Sequence, residues 1–432
     1  MKFLYSDTQD YVDPDYDFLN DRSAPGRERY WDDLYAHELM TPAPYDGLLL
    51  SMSAIRQAVG VASSKVRYST SEEQRLLRIG ARKFLRYDGP QYKDSMLMGD
   101  CGAFAYVEHE RPAYSPSEVV EFYLDAGFTH GVSPDHIIFD CDTDNPPTSA
   151  VDANVIERYD ITQKNAEEFL RLVQLEGNEF EPMGAVQGWS PQSMAQAAKS
   201  LEKMGYRYLA IGGLVPLKVD VIHQVLHALR AAIKPSTNIH LLGFAKADHI
   251  HEFVQHDITS FDSTSPLIRA FKDAKRNYYI ESPNGGLDYY AAIRIPQAIE
   301  NARLVQGIKR GIFSAEDLQR REQLALNTLR AYDKNQAREE DALEAVLDYQ
   351  RFLTLGDDKI TDEERARELA KSRAQISRTL RDQPWKQCRC DVCSTVGVEV
   401  IIFRASNRNK RRGFHNLGVY HQHLQRTLSN AK

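Results

Sequence analysis

A tight cluster of cysteines near the end of the chain has the spacing of a metal site. Three of the chain's five cysteines follow a C-x-C-x-x-C pattern, at Cys388, Cys390 and Cys393. His415 follows after a stretch that is long enough to fold back onto an ion. Three thiolates and one imidazole are the donor set of a closed, tetrahedral structural zinc site. His421 and His423 are also within reach, so the spacing alone leaves the fourth ligand open.

Several polar residues come directly after short apolar runs of the kind that form buried strands. They are Asp100, Asp140, Gln187 and Asp262, and a fifth run ends in Gly212-Gly213-Leu214, where glycine permits close approach of a ligand to the backbone. Two separated carboxylates can act as nucleophile and general acid/base, and the other groups could read the edge of a heterocycle stacked on Phe104. Any one of these aspartates alone could instead cap a helix.

Apolar runs that alternate with amphipathic segments predict the elements that hold these residues. The expected strands are 47–53, 95–99, 135–140, 182–187, 207–212, 238–244 and 258–262, with an eighth near 277–281. Ser115-Pro116 and Ser190-Pro191 are typical helix starts between them. The pattern predicts an α/β fold, a (β/α)8 TIM barrel over residues 46–300, whose functional groups lie at the carboxyl ends of the strands. No G-x-G-x-x-G motif follows a strand, which disfavours a dinucleotide-binding fold.

The remaining sequence predicts three further regions. Residues 1–45 are expected to form an irregular N-terminal layer, 301–383 a helical insertion, and 384–432 a zinc-binding subdomain. A basic loop in that subdomain contains Arg404, Arg408, Lys410, Arg411 and Arg412. We expect this loop to contact the phosphates of a nucleic acid, the alternative being an ordinary solvated loop.

Composition limits the class of protein. The net charge of −7 argues against a protein that coats nucleic acid with its whole surface. The chain has no apolar run of about 18 residues, and its start turns acidic too early for a secretory signal. These features predict a cytoplasmic protein.

Taken together, these segments resemble the tRNA-guanine transglycosylases (queuine tRNA-ribosyltransferases). The matching segments are Asp100-Cys101-Gly102-Ala103-Phe104, Phe139-Asp140, Val186-Gln187-Gly188, Gly212-Gly213-Leu214, Leu242-Gly243, Phe261-Asp262 and Phe414-His415-Asn416. The resemblance implies that Asp262 is the nucleophile and Asp100 the general acid/base. It also implies a base pocket of Phe104, Asp140, Gln187, Gly213 and Leu214, and it selects His415 as the fourth zinc ligand.

The chain also departs from the tRNA enzymes in ways that resemble the DNA-modifying branch of that superfamily (DpdA). Cys101 and Ala103 replace a serine and a glycine, Ser263-Thr264-Ser265 follows the nucleophile, and the N-terminal block and helical insertion are foreign to the tRNA enzymes. This branch implies exchange of guanine in DNA for a 7-deazaguanine such as preQ0, with an ATPase as partner. The alternatives are a transglycosylase acting on tRNA and a catalytically inactive nucleic-acid-binding relative.

Overall fold

The computed structural model describes residues 1–57, 66–244, 246–355 and 360–430. Its strands are β1 (Lys2–Ser6), β2 (Tyr11–Val12), β3 (Leu34–Tyr35), β4 (Gly47–Ser51), β5 (Met96–Asp100), β6 (His130–Val132), β7 (Glu181–Val186), β8 (Tyr208–Ile211), β9 (Asn238–Leu241), β10 (Ser260–Asp262), β11 (Tyr278–Glu281), β12 (Leu287–Tyr290), β13 (Ile293–Arg294) and β14 (Ile402–Phe403).

Helices occupy much of the remaining chain. They are α1 (Ala36–Leu39), α2 (Met52–Ile55), α3 (Thr70–Ile79), α4 (Ala81–Phe84), α5 (Pro116–Ala126), α6 (Ala153–Leu175), α7 (Pro191–Met204), α8 (Val219–Ala232), α9 (Ser265–Lys272), α10 (Ala302–Lys309), α11 (Ala315–Asp333), α12 (Glu339–Gln350), α13 (Phe352–Leu355), α14 (Asp362–Asp382), α15 (Pro384–Gln387), α16 (Asp391–Val396) and α17 (Ser406–Asn430). None of the helices in the described part of the chain is both long and apolar enough to cross a membrane.

The chain divides into two compact units. The first comprises residues 1–9, 45–264 and 424–432, and the second comprises 10–44 and 265–423. The first unit contains a closed barrel of eight parallel strands in the order β1-β10-β9-β8-β7-β6-β5-β4. The predicted (β/α)8 barrel is therefore confirmed. Inward side chains from several strands, such as Leu4, Met98, Met183 and Ala210, form its core.

Sequence signals at the helix starts are confirmed by the caps that the structure shows. Ser115 accepts a hydrogen bond from the backbone N–H of Glu118 and precedes Pro116 at the start of α5. Ser190 caps α7 in the same way. These side chains satisfy backbone donors that the first helical turn leaves without partners. The helices predicted over 301–383 are also present, and their apolar stripe at Leu343, Val346 and Leu347 is buried as core.

Three expectations about the strands are wrong. Residues 1–45 begin with a barrel strand, because β1 pairs with β10 on one side and β4 on the other. Residues 277–281 pair with 287–290 in an antiparallel hairpin, since β1 has already closed the barrel and left it without an edge. The strand expected at 135–140 is wrong, because the barrel strand in this region is β6, which covers His130–Val132. The segment 135–140 is irregular because side chains take its backbone N–H groups, with Thr162 bonded to His136 and Gln187 to Ile138.

The predicted basic loop is also wrong. Four of its five basic residues are at most 5% exposed, namely Arg404, Arg408, Arg411 and Arg412, and all but Arg404 lie in α17. Within the second unit, Arg404 and Arg408 share the carboxylate of Asp21. Arg408 also bonds Glu399 at 2.8 Å.

The other members of the predicted loop have internal partners as well. Arg411 and Arg412 donate to backbone carbonyls, among them those of Asp13 and Ala270. Lys410 lies 3.7 Å from Asp10, with its side chain 24% exposed. The charges that were expected to face phosphates therefore hold the second unit together.

Replacing Arg408 should destabilise the protein. In Arg408→Ala, Asp21 and Glu399 each lose a buried cationic partner and a large side chain leaves a cavity, so we expect a loss of about 2–4 kcal/mol in the free energy of unfolding. Lys410→Ala is the matched control and should cost about 0–1 kcal/mol, because its ion pair is more exposed. Chemical denaturation measures both. Equal midpoints for the two variants would contradict the structural role of Arg408.

Candidate active site and metal centre

Asp262 ends β10 and faces the interior of the barrel. Ser260 and Asp262 lie on the same side of the strand because side chains alternate along it, whereas Phe261 packs on Phe3 outside. The carboxylate is 7% exposed. Its Oδ1 accepts a hydrogen bond from the backbone N–H of Gly243 at 2.8 Å and lies 3.2 Å from Nε2 of His240. This carboxylate is therefore held by donors at the carboxyl end of its strand.

Asp100 ends β5 in a contrasting environment. Its pKa is raised to about 7, mainly by burial and further by the nearby carboxylates of Asp262 and Asp135, while hydrogen bonds from Ser51 and from the N–H of Gly102 act in the lowering direction. Its Oδ1 is buried and has no hydrogen-bond partner among the described residues. Gly102 shapes the turn that follows: its φ is +72°, and a Cβ there would lie 1.8 Å from Oγ of Ser53. The chemistry of this pair is that of one held carboxylate and one carboxyl group that retains its proton near neutral pH.

The segment before Asp140 contributes a buried carboxylate that the sequence analysis missed. Asp135 is 5% exposed, and burial raises its pKa to about 6. It accepts a hydrogen bond of 2.6 Å from Nε2 of Gln187, whose Oε1 accepts from the N–H of Ile138 at 3.2 Å. Gln187 therefore ties this irregular segment to the end of β7. The signal that could have found Asp135 was Pro134, which disfavours a strand at this point.

Phe104, Phe139 and Asp140 differ from these groups because they are exposed. The rings of Phe104 and Phe139 are 52% and 37% exposed and lie 5.7 Å apart. Solvent-accessible aromatic faces of this kind are suited to stacking on a base. Asp140 follows Phe139 and is also exposed.

The glycine pair makes room for neighbouring parts of the protein, and its expected approach to a ligand stays a prediction. A Cβ on Gly212 would lie 2.1 Å from Nε2 of Gln187. A Cβ on Gly213, whose φ is +72°, would lie 2.5 Å from the carbonyl oxygen of Ile138. Leu214 is 1% exposed. The pair therefore lets β8 end against the segment that carries Asp135.

The cysteine cluster in the second unit forms a site that could hold a metal ion. One donor atom from each of four residues lies within 4.8 Å of the others: Cys388, Cys390, Cys393 and His415. The three sulfur atoms are 3.5, 3.4 and 3.3 Å from Nδ1 of His415. Three sulfurs around one ring nitrogen fit the donor set of a tetrahedral site.

Contacts around the cluster fix the orientation of its histidine. Nε2 of His415 donates to the carbonyl of Tyr279 at 2.7 Å, which leaves the lone pair of Nδ1 directed at the sulfurs. The ring of Tyr278 stacks on His415 at 4.0 Å, and its hydroxyl lies 3.1 Å from Sγ of Cys393. The histidine ring is therefore already oriented for binding.

Removal of one sulfur should remove both metal and stability. We expect Cys390→Ala to contain no bound metal ion and to unfold at a lower temperature, because metal binding at such a site contributes directly to folding. Elemental analysis and thermal unfolding measure the two effects. Cys141→Ala is the control, since this half-buried cysteine lies outside the cluster. A folded wild-type protein without metal would contradict the assignment.

The raised pKa of Asp100 predicts a pH-dependent stability. Between its unfolded pKa near 4 and its folded pKa of about 7, the folded state binds more protons, so this group lowers stability as pH rises. Asp100→Asn should therefore be more stable than wild type above pH 7, by about 1–3 kcal/mol, with the difference vanishing below about pH 4. Asp140→Asn, an exposed control, should leave the profile unchanged. Denaturation at several pH values tests this, and parallel profiles for wild type and Asp100→Asn would refute it.

Comparison with known proteins identifies one full-length relative. No family model matches the chain. A DNA-guanine transglycosylase of Salmonella montevideo is 39% identical over 431 residues, which cover 99% of this chain and 98% of the relative. The resemblance to the DNA-modifying branch is thereby confirmed. Because this alignment spans nearly the whole of both chains, the chain belongs to the DNA-guanine transglycosylase family.

Proposed function

We propose that this protein exchanges guanine in DNA for a 7-deazaguanine base such as preQ0, through a covalent intermediate on Asp262. The family supports DNA as the substrate, since the relative is named for DNA-guanine exchange. The covalent step is supported by one observation above all. Two carboxyl groups lie at the same mouth of the barrel: Oδ1 of Asp262 is held by two N–H donors, whereas Oδ1 of Asp100 has no partner among the described residues and the pKa of Asp100 is raised to about 7.

The two environments suit two roles. The Asp262 carboxylate attacks C1′ of the target nucleotide, and a C1′–oxygen bond forms as the bond from C1′ to guanine breaks. Guanine leaves with the electron pair of that bond and takes a proton from Asp100. A pKa raised to about 7 keeps a proton available on Asp100 near neutral pH.

The second displacement reverses the roles. The incoming deazaguanine loses a proton to Asp100 and attacks C1′, which frees the Asp262 carboxylate. Two inversions give retention at C1′, and Asp100 ends with the proton it held at the start. Groups that trade acid and base roles in this way require a pKa near the working pH.

The target base must leave the DNA stack to reach Asp262, at a cost of about a few kcal/mol. Phe104 and Phe139 supply exposed aromatic faces at the mouth on which an extruded base could stack. Asp140 is proposed to recognise the base edge, while Gln187, Gly213 and Leu214 line the pocket. Gln187, Gly213 and Leu214 are partly or fully buried, and we propose that they shape the pocket by holding the segment that carries Asp135 in place.

The metal and the partners follow from the same proposal. We propose zinc as the ion at the cysteine cluster, with a structural role, because all four donors come from the protein and leave no open position for substrate. An ATPase partner that opens the duplex would lower the cost of extruding the base. A DNA substrate accords with the cytoplasmic location expected from the sequence.

Removing the nucleophile should abolish exchange. We expect Asp262→Ala to lose incorporation of labelled guanine into DNA by about 10⁴-fold or more, while thermal stability and DNA binding persist. Asp257→Asn is a matched control, since it changes an exposed aspartate just before the amino end of the same strand. Wild-type exchange by Asp262→Ala would overturn the assignment of the nucleophile.

The choice of nucleic acid is tested separately. Ser263-Thr264-Ser265 follows the nucleophile where the sugar would lie, and we propose that it excludes a ribose 2′-hydroxyl. Purified protein, with any partner it needs, should incorporate labelled preQ0 into DNA and leave tRNA unlabelled. Label in tRNA alone would favour a tRNA-acting enzyme, and no label in either would favour a catalytically inactive binding protein.

A further inference from the structure

Inside the barrel, a row of hydrogen-bonded side chains, Tyr208, Ser260 and His240, leads to Asp262. The mechanism above does not use this row. The hydroxyl of Tyr208 is 2.6 Å from Oγ of Ser260, which is 2.7 Å from Nδ1 of His240. Nε2 of His240 is in turn 3.2 Å from Oδ1 of Asp262. Tyr208 is 4% exposed, and Ser260 and His240 are fully buried. These three side chains are therefore shielded from bulk solvent.

The strand register explains why these side chains meet. His240 in β9 is paired with Ser260 in β10, so both side chains point into the barrel at the same level. Asp262 lies two residues beyond Ser260 and points the same way. Ala210 of β8 pairs with His240, and Tyr208 lies two residues before it on the same side. Three neighbouring strands therefore place the four polar groups in one row.

Only one assignment of donors and acceptors satisfies all the hydrogen bonds along the row. A carboxylate only accepts hydrogen bonds, so Nε2 of His240 must carry the proton that faces Asp262. Burial raises the pKa of Tyr208 to about 12, which keeps its hydroxyl proton in place. Among the described residues Ser260 is the one partner of that hydroxyl, so Tyr208 donates to Ser260, and Ser260 donates to Nδ1.

The other tautomer of His240, with its proton on Nδ1, leaves a buried donor without a partner. If Nδ1 carried a proton, the Ser260 hydroxyl would turn toward Tyr208, and the Tyr208 proton would lose its acceptor. A buried polar group without a partner is costly. The row therefore holds His240 neutral, with its proton on Nε2.

We propose that His240 is a positioning residue for Asp262, oriented by Ser260 and Tyr208, which holds Oδ1 so that Oδ2 attacks C1′. The inference rests on the proposed role of Asp262 as nucleophile. Oδ1 already has two neighbours, the N–H groups of Gly243 and His240, whereas no described residue hydrogen-bonds to Oδ2. The two donors fix the plane of the carboxylate and leave the other oxygen available to the substrate.

Packing alone does not account for the histidine. A phenylalanine would fill a similar volume in this core and require no hydrogen-bonded partners. His130 provides the comparison, because its imidazole lies in the barrel, with its ring against Tyr208 at 5.8 Å, but has no bond to the row. Its Nδ1 bonds to Thr129 instead. Removing the His130 imidazole should therefore not affect the position of Asp262.

Kinetics of three variants test the proposal. His240→Phe should lower kcat for guanine exchange by about 10- to 100-fold with KM for DNA unchanged, because a misplaced nucleophile slows the chemical step alone. His240→Gln, which retains a side-chain N–H, should recover part of that loss. His130→Phe, the matched control, should keep wild-type kcat. Wild-type kcat in His240→Phe, or equal losses in the Phe and Gln variants, would overturn the role of His240.

Asp262→Ala separates this proposal from the proposed function. If Asp262→Ala is inactive and His240→Phe is fully active, only the positioning role fails; if Asp262→Ala is active, the nucleophile itself is wrong. A direct measurement on the wild-type protein covers variants that fold poorly. In ¹⁵N-histidine NMR, the signal missing from His240→Gln should show a neutral ring protonated on Nε2. A ring protonated on Nδ1 would refute the proposed direction of the row.

Discussion

Closure of the barrel by β1 is the constraint on which the rest of the site depends. Lys2–Ser6 pairs with β10 through Phe3 and Phe261 and with β4 through Tyr5 and Leu48. A parallel barrel has no stable open form at this point, because each unpaired edge would leave a row of backbone donors and acceptors without partners. Once the ring is closed, the carboxyl ends of β5 and β10 open onto the same mouth. Asp100 and Asp262 therefore lie close enough for one charge to affect the other.

The same barrel gives its acidic groups different properties through local contacts. Asp262 receives backbone and side-chain donors from β9 and the turn after it, whereas burial and the charges of Asp262 and Asp135 raise the pKa of Asp100. Burial disfavours the charged form of a carboxyl group, and N–H donors favour it. The site therefore offers one carboxylate whose Oδ1 is held by N–H donors and one carboxyl group whose pKa is raised to about 7. The row of Tyr208, Ser260 and His240 adds to this difference, because His240 donates to Asp262 and no member of the row bonds to Asp100.

The buried arginines of the second unit show how a charge pattern can mislead. A run containing Arg408, Arg411 and Arg412 looks like a nucleic-acid contact when only the sequence is read. In the structure their partners are Asp21, Glu399 and backbone carbonyls, several of them far away in the chain. Burying guanidinium groups is tolerable only when such partners are present. An ion pair between residues hundreds of positions apart leaves no periodic signal near either member.

The sequence by itself determined the barrel, the ends of strands at Asp100 and Asp262, and the cluster of Cys388, Cys390 and Cys393, whereas the family resemblance was needed to select His415. Each of these depends on local pattern: strand and helix periods, helix caps, and the spacing of metal-binding residues. Only the tertiary structure decided that Lys2–Ser6 closes the barrel, that Gln187 bonds to Asp135, and that His240 contacts Asp262. These facts depend on which strands become neighbours and in what register. Because pairing joins residues distant in the chain, a single sequence carries no local trace of it.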